Sequence, residues 1–197
     1  MTNYSVLVKI EGQSALRQLA QQDYSLCLAF GVEDDEPRVI ASSSILAPYV
    51  KTEWNDGYGI AASDSRFMEG ALVQVATEVQ SIKPGQTYTL NSNWAGSVSD
   101  GGRQGGLCFN NQCETVSPII CKKIGSRWAP IYIAPRQLPR GTIQEIKLNN
   151  KVTVWFQSEI STGSMINGIS GQSIEIDMSG RTNATAVFSD DYRWSLE

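Results

Sequence analysis

Histidine is absent from this sequence of 197 residues. Without imidazole the chain has no Ser-His or Cys-His nucleophile pair, lacks the commonest metal ligand, and has no side chain whose ordinary pKa lies near neutrality. The motifs of nucleotide-binding loops, zinc proteases, kinases and EF-hands are also missing. These absences favour a protein that binds a molecule over an enzyme, so we assign no catalytic residue and no metal ligand.

Long apolar runs and a basic excess are missing as well. No stretch reaches the roughly 20 apolar residues of a membrane span, and the N-terminus does not resemble a secretory signal. We therefore expect a cytoplasmic protein without a transmembrane segment. The net charge of −4 argues against nucleic-acid binding, which requires a basic surface.

Charge is nevertheless distributed unevenly along the chain. Residues 1–100 contain 12 acidic and 6 basic side chains. Between Glu114 and Glu145 there is no acidic residue, and the basic ones are Lys122, Lys123, Arg127, Arg136 and Arg140. This segment is either a solvated surface or a docking site for an anionic ligand or partner.

Short alternating apolar segments recur between turn residues along the whole sequence. Alternation predicts half-buried strands, and turn signals at roughly 8 to 15 residue spacing are typical of an antiparallel sandwich or barrel. The sequence therefore predicts a single all-β domain over residues 1–197, an antiparallel β-sandwich or barrel of about ten strands. One short helix is expected near the N-terminus, over residues 14–22. Exposed edge strands of such a sheet favour a homodimer.

Several segments predict individual strands and turns. The segments 4–11, 24–32 and 70–80 alternate as strands. Asp56-Gly57 predicts a turn between two extended runs. The segment 142–156, which reads TIQEIKL, NN, KVTVWF, predicts a hairpin, because adjacent asparagines tolerate the left-handed backbone of a tight turn.

The segment from Ser99 to Cys121 contains four glycines and three of the four cysteines. Its DGGRQGG stretch lacks the Lys-Ser/Thr ending of a P-loop and the GxGxxG spacing, so it predicts a flexible loop rather than a nucleotide site. The cysteine spacing fits a zinc site poorly. Cys108–Cys113 and Cys27–Cys121 are the simplest disulfides, whereas in a reducing cytosol all four residues would be thiols.

Aromatic residues beside turns indicate a binding site. Such residues stack on a flat ligand or a sugar ring while amide and carboxylate neighbours bond its edges. The alternative is burial of each tryptophan in the core, as we expect for Trp155. A nearby arginine would hold an anionic group. The candidate ligand-binding residues are Trp54, Asn55, Asp56, Tyr58, Asn93, Trp94, Arg103, Arg127 and Trp128.

Three functions agree with these features. The first, which we prefer, is a non-enzymatic binding protein that holds a compact organic ligand, such as a pigment, at an aromatic-lined site in or between turns; which cofactor it would hold stays open. The second is a glycan-binding or membrane-active defence lectin, with Trp54 and Trp94 exposed. The third is a carboxylate-dependent glycosidase, which requires two acids flanking a cleft, one with a raised pKa.

Overall fold

The chain folds into strands and one short helix near its N-terminus, which confirms the all-β class. A computed structural model describes residues 1–197. It has fifteen strands where the sequence predicted about ten. The one helix is too short to span a membrane. In chain order the elements are β1 (Asn3–Ile10), α1 (Gln13–Gln21), β2 (Tyr24–Val32), β3 (Ser42–Ser44), β4 (Tyr49–Ser63), β5 (Gln80–Ile82), β6 (Gln86–Leu90), β7 (Gly96–Asp100), β8 (Leu107–Asn111), β9 (Ser117–Ile124), β10 (Arg127–Ile133), β11 (Thr142–Ile146), β12 (Leu148–Ser158), β13 (Ser173–Asp177), β14 (Asn183–Phe188) and β15 (Trp194–Leu196).

The strands form three sheets. The largest has the order β10-β9-β4-β1-β14-β15, with β5 added beside β4. Two four-stranded sheets have the orders β13-β12-β2-β3 and β11-β8-β6-β7. Most pairs are antiparallel, as predicted, but β1–β14 and β6–β8 are parallel. Parallel pairing joins strands through long crossover connections, which alternation within one strand does not reveal.

One cluster of 30 buried residues joins the three sheets. It includes Val6 of β1, Leu28 of β2 and Phe109 of β8. The alternation predicted for β2 is confirmed, and the strand is buried on its other face too, where Cys27 contacts a smaller cluster around Trp155. Trp155 is fully buried, as predicted.

The turn predicted at Asp56-Gly57 lies inside the continuous strand β4. Asp56-Gly57 does not separate two strands: β4 is continuous, and its register against β9 shifts between Trp54 and Tyr58. The Asn55 Oδ1 atom accepts a hydrogen bond from the backbone N–H of Gly57 at 3.0 Å. The asparagine turn chemistry is present, but it makes a bulge inside a long strand.

The predicted hairpin over residues 142–156 is wrong. Strand β12 instead contains a bulge like the one in β4. β11 pairs with β8, whereas β12 pairs with β2 and β13. The register of β12 against β2 shifts between Leu148 and Val152, around the two asparagines. The Asn149 Oδ1 atom accepts a hydrogen bond from the backbone N–H of Lys151 at 3.1 Å. The Asp56-Gly57 and Asn149-Asn150 signals that predicted turns therefore both mark irregular positions within strands.

Residues 70–80 do not form the predicted strand. Val73 packs against a buried cluster, so the inward alternation is partly present. The backbone, however, bonds to different neighbours instead of one ladder: the N–H of Val73 donates to the Gly163 carbonyl, and that of Ala76 to the Ala62 carbonyl, both at 2.9 Å. The alternation identified Ala71, Val73 and Val79 as partly buried, but Val75 is 40% exposed and the backbone is not a strand.

Residues 101–106 form a loop between β7 and β8, as predicted for the DGGRQGG stretch, and most of the remaining glycine and cysteine segment is strand. All four cysteines are free and buried. Neither of the simplest disulfides, Cys27–Cys121 or Cys108–Cys113, is formed, and Cys27 and Cys121 lie in different buried clusters. No group of three Cys, Asp or Glu residues has an arrangement that could hold a metal ion.

The buried thiols lead to a first prediction. The native protein should not react with 5,5′-dithiobis(2-nitrobenzoate), and unfolding without a reductant should release four reactive thiols per chain. The thiolate is the reactive species, and burial raises the pKa of Cys27 and of Cys121 to about 12. The measurement is thiol titration with and without denaturant. Fewer than four thiols in the unfolded, unreduced protein would reveal a disulfide.

Candidate functional site

A cavity of about 610 Å³ lies between the largest sheet and the β2–β12 sheet. Strands β1, β4, β5 and β9 line one side, and β2 and β12 line the other. Both strand irregularities contribute, with Asp56 and Gly57 from β4 and Asn149 and Asn150 from β12. Bulges commonly re-aim side chains beside functional sites, and a cavity of this size suits a compact organic molecule.

An aromatic wall forms one part of the cavity. Tyr4 and Trp54 are directly opposite each other in the β1–β4 pair, and their rings stack with centroids 6.1 Å apart. The ring of Phe30 meets Trp54 edge-on at 5.2 Å. Trp54 is only 5% exposed, so it belongs both to the core and to the cavity wall. Because these rings hold one another, the wall is formed without a ligand.

Lys122 reaches this cavity from strand β9. Successive residues of a strand point to opposite faces, so Lys122 shares its face with Ile120 and Ile124, which pack against the central cluster. Lys122 is 6% exposed. Lys123 points the other way, where its ammonium lies 5.1 Å from the centroid of the Trp128 ring. Neighbouring lysines therefore occupy very different environments.

The Lys122 ammonium has aromatic and carbonyl neighbours but no counter-ion. Its Nζ atom lies 3.9 Å from the centroid of the Tyr58 ring and 5.8 Å from that of Phe30. It donates a hydrogen bond to the Asn55 carbonyl at 3.3 Å. No carboxylate lies within 4.0 Å of it. Burial lowers the pKa of Lys122 to about 8, and the more distant Asp56 carboxylate partly opposes that shift.

Asp56 and Tyr58 complete the polar part of the cavity. The Asp56 side chain is exposed, and hydrogen bonding by the Thr2 backbone lowers its pKa, so it is a carboxylate at neutral pH. Burial raises the pKa of Tyr58, with further contributions from Tyr4 and Asp56, so its phenol stays protonated. Asp56 is the single carboxylate among the lining residues.

Of the candidate ligand-binding residues, Trp54, Asp56 and Tyr58 all line this cavity. Asn55 takes part differently than expected: its carbonyl accepts the bond from Lys122, and its side chain holds the bulge. These residues are adjacent in sequence, so their proximity was predictable. Their common orientation depends on the bulge.

The other predicted residues lie elsewhere. Trp94 packs against the central cluster, and the exposed Asn93 accepts a hydrogen bond from the Ala95 N–H in a local turn. Arg103 is exposed and pairs with Glu145 at 3.4 Å. Arg127 is exposed on β10, and Trp128 lies against Lys123 on the far face of the sheet. None of these five lines the cavity.

Sequence reasoning named Lys122 only as one of five basic residues in a segment. The signal that identifies it is the apolar alternation of SPIICKKI, in which Ile120, Lys122 and Ile124 share one face. A lysine on a core-facing row of a strand is unusual, because lysine is almost never fully buried without a partner. Asn149 and Asn150 were missed as lining residues because their pattern predicted a surface turn.

A second cavity of about 610 Å³ differs in its chemistry. Its walls are polar, and its least exposed charges pair with each other: Asp35 and Arg38 form an ion pair at 2.5 Å, and the Tyr132 hydroxyl donates to the Asp35 carboxylate at 3.3 Å. Burial and the Asp35 carboxylate raise the pKa of Tyr132 to about 12. In this network the charges of Asp35 and Arg38 are paired with each other, whereas the ammonium of Lys122 has no carboxylate partner.

No protein-family model, no curated protein and no solved structure is similar enough to this chain to match it. The function proposed next therefore rests on the geometry and chemistry of the cavity beside Lys122.

Proposed function

We propose that this protein binds a compact organic ligand with a flat apolar body and one anionic group, such as a carboxylate or sulfonate, in the cavity beside Lys122. The supporting observation is the buried ammonium of Lys122, which has no carboxylate within 4.0 Å. Burial of an unpaired charge is unfavourable. An anionic ligand would supply the missing charge and convert this cost into binding energy.

The aromatic wall supports a flat ligand body. The ring faces of Tyr4 and Trp54 are nearly parallel, with 9° between their planes, and Phe30 stands at 90° to Trp54. Such a corner offers both stacking and edge contacts to an aromatic ring. The walls are mutually packed before binding, so little conformational entropy is lost when a ligand enters.

Two observations favour this proposal over the alternatives that the sequence left open. Asp56 is the single carboxylate lining the cavity, whereas glycoside hydrolysis needs a pair. Trp54 is buried, whereas a lectin of the expected kind would display it to a sugar. We therefore keep small-molecule binding without turnover as the preferred function.

A pair of fluorescent probes tests this proposal. We expect 8-anilinonaphthalene-1-sulfonate to bind more tightly than N-phenyl-1-naphthylamine, which has the same rings but no charge. Replacing Lys122 with methionine should weaken sulfonate binding by roughly 10- to 100-fold, the effect of losing a charge-assisted hydrogen bond. Binding of the neutral amine should change little. Fluorescence titration near neutral pH measures all four affinities.

Lys123→Met is the matched control, because it removes the same charge from the next residue of the same strand on the opposite face. It should leave both affinities nearly unchanged. Equal binding of the two probes, or equal effects of the two substitutions on sulfonate binding, would contradict a specific anion site at Lys122.

A further inference from the structure

The position of the Lys122 amine suits covalent chemistry as well as electrostatic attraction of an anionic ligand. It combines three features: a wall position in a cavity of about 610 Å³, contact with aromatic faces, and no carboxylate within 4.0 Å. A nearby carboxylate would hold a lysine in its ammonium form, which has no lone pair. No carboxylate lies within 4.0 Å of Lys122, so none holds the proton on its amine by direct contact.

The contact with Asn55 positions the nitrogen. The Nζ atom donates one hydrogen bond to the Asn55 carbonyl at 3.3 Å. When the amine is neutral, that bond uses one N–H and leaves the lone pair free, because a carbonyl oxygen accepts hydrogen bonds and cannot use the lone pair. The backbone of the β4 bulge therefore anchors the amine at the cavity wall without blocking its reactivity.

We propose that Lys122 forms an imine with aromatic aldehydes that enter this cavity, so that the protein is a covalent carbonyl-binding protein. The inference deepens the proposed function, since it requires that the cavity admits a flat ligand. The Nζ lone pair attacks the carbonyl carbon to give a carbinolamine. Loss of the carbonyl oxygen with two hydrogens from nitrogen releases one water and leaves a C=N bond, with no change of oxidation state.

Burial favours the neutral amine, and the ionisable group that opposes it, the Asp56 carboxylate, lies more than 4.0 Å away. Asp56 on β4 is the only lining carboxylate and is solvent-exposed, while Lys151 on β12 is paired with Glu175. The remaining ionisable lining residues are Tyr4, Tyr58, Lys83 and Met1, and none of them has a carboxylate side chain. Burial lowers the pKa of Lys122 from 10.5 to about 8, which enlarges its neutral fraction at neutral pH by roughly two orders of magnitude.

Reductive trapping tests the inference. The full chain is incubated with 2-naphthaldehyde and sodium cyanoborohydride near neutral pH, and the adducts are assigned by peptide mass mapping. The chain has seven lysines. Lys122 should be modified at least roughly tenfold faster than Lys123, because its neutral fraction is larger. The Met1 α-amine is not a lysine amine, so adducts on it are counted separately.

Controls separate this inference from the proposed function. Lys122→Arg cannot form an imine, so the adduct at this position should disappear while adducts on the other six lysines stay unchanged. The anilinonaphthalene sulfonate should protect Lys122 from the aldehyde. Modification spread evenly over the lysines would overturn the imine inference even if the sulfonate binds at Lys122. Selective modification together with no preference for the sulfonate would overturn anion binding and retain the imine.

Discussion

Replacing Lys122 with methionine is expected to stabilise the protein near neutral pH, and that advantage should disappear in alkali. Burial lowers the pKa of Lys122 from 10.5 to about 8, which corresponds to about 3 kcal/mol between the charged and neutral forms of the folded state. Methionine fills a similar length of the cavity wall without a charge. The free energy of unfolding, measured by urea titration of both proteins at several pH values, tests this expectation.

The sign follows from the protons bound by each state. Below pH 8 the lysine is protonated in both the folded and unfolded chains, so the fold carries the full cost of the buried charge. Between pH 8 and 10.5 the folded protein loses this proton first, so the unfolded chain binds more protons and stability rises with pH. Above pH 10.5 Lys122 is neutral in both the folded and the unfolded chain, so it no longer destabilises the fold.

The difference between the two proteins is the quantity to follow, because other groups titrate in the same range. Burial raises the pKa of Cys27 and Cys121 to about 12, so ionisation in the unfolded chain lowers the stability of both proteins above about pH 9. That contribution cancels in the difference. Lys123→Met controls for removal of a lysine from β9. Parallel stability curves for the wild type and Lys122→Met would contradict a buried, destabilising ammonium.

Much of the fold was predictable because local sequence and buried pattern agree. The strand at residues 24–32 alternates large and small side chains, and the structure packs both faces. The helix at 14–22 differs from α1 by one residue at each end. In these segments the period of the apolar residues, the turn signals at the ends and the final packing all favour the same structure.

The errors arise where a local signal has two structural solutions. An asparagine that bonds to the backbone N–H two residues later makes a turn in a hairpin, but the same bond makes a bulge when both flanking segments find other partners. Asn55 and Asn149 form that bond, and β4 and β12 each continue through it. Only the long-range pairing of β12 with β2 and β13 decides between these solutions, and sequence separation hides that pairing.

The candidate site was half predictable for a related reason. Trp54, Asp56 and Tyr58 are close in sequence, so their composition indicated a site. Lys122 comes from a different strand, 64 residues after Tyr58, and joins them through the β4–β9 register, in which Tyr58 is directly opposite Lys122. A buried charge that local rules disfavour is the kind of exception that functional sites contain.

The second large effect is expected at Gly31, where a single methyl group should disturb the β12 bulge. A Cβ atom on Gly31 would lie 2.1 Å from Oδ1 and 2.9 Å from Cγ of Asn149. The backbone of Gly31 is not left-handed, so alanine itself causes no backbone strain there. Gly31→Ala must therefore displace the Asn149 side chain, which lines the cavity and accepts the bond from the Lys151 N–H.

We expect Gly31→Ala to lower the free energy of unfolding by about 1–3 kcal/mol, as overpacking usually does, and to weaken binding of the anilinonaphthalene sulfonate. A double-mutant cycle with Asn149→Ala identifies the cause. Truncating Asn149 removes the atoms that the new methyl group would meet, so Gly31→Ala should cost much less in that background, with a coupling energy of about 1 kcal/mol or more. Urea titration of the four proteins measures the cycle. If the two substitutions lower the free energy of unfolding additively, the new methyl group does not clash with Asn149. That result would contradict the proposed dependence of the cavity on the β12 bulge.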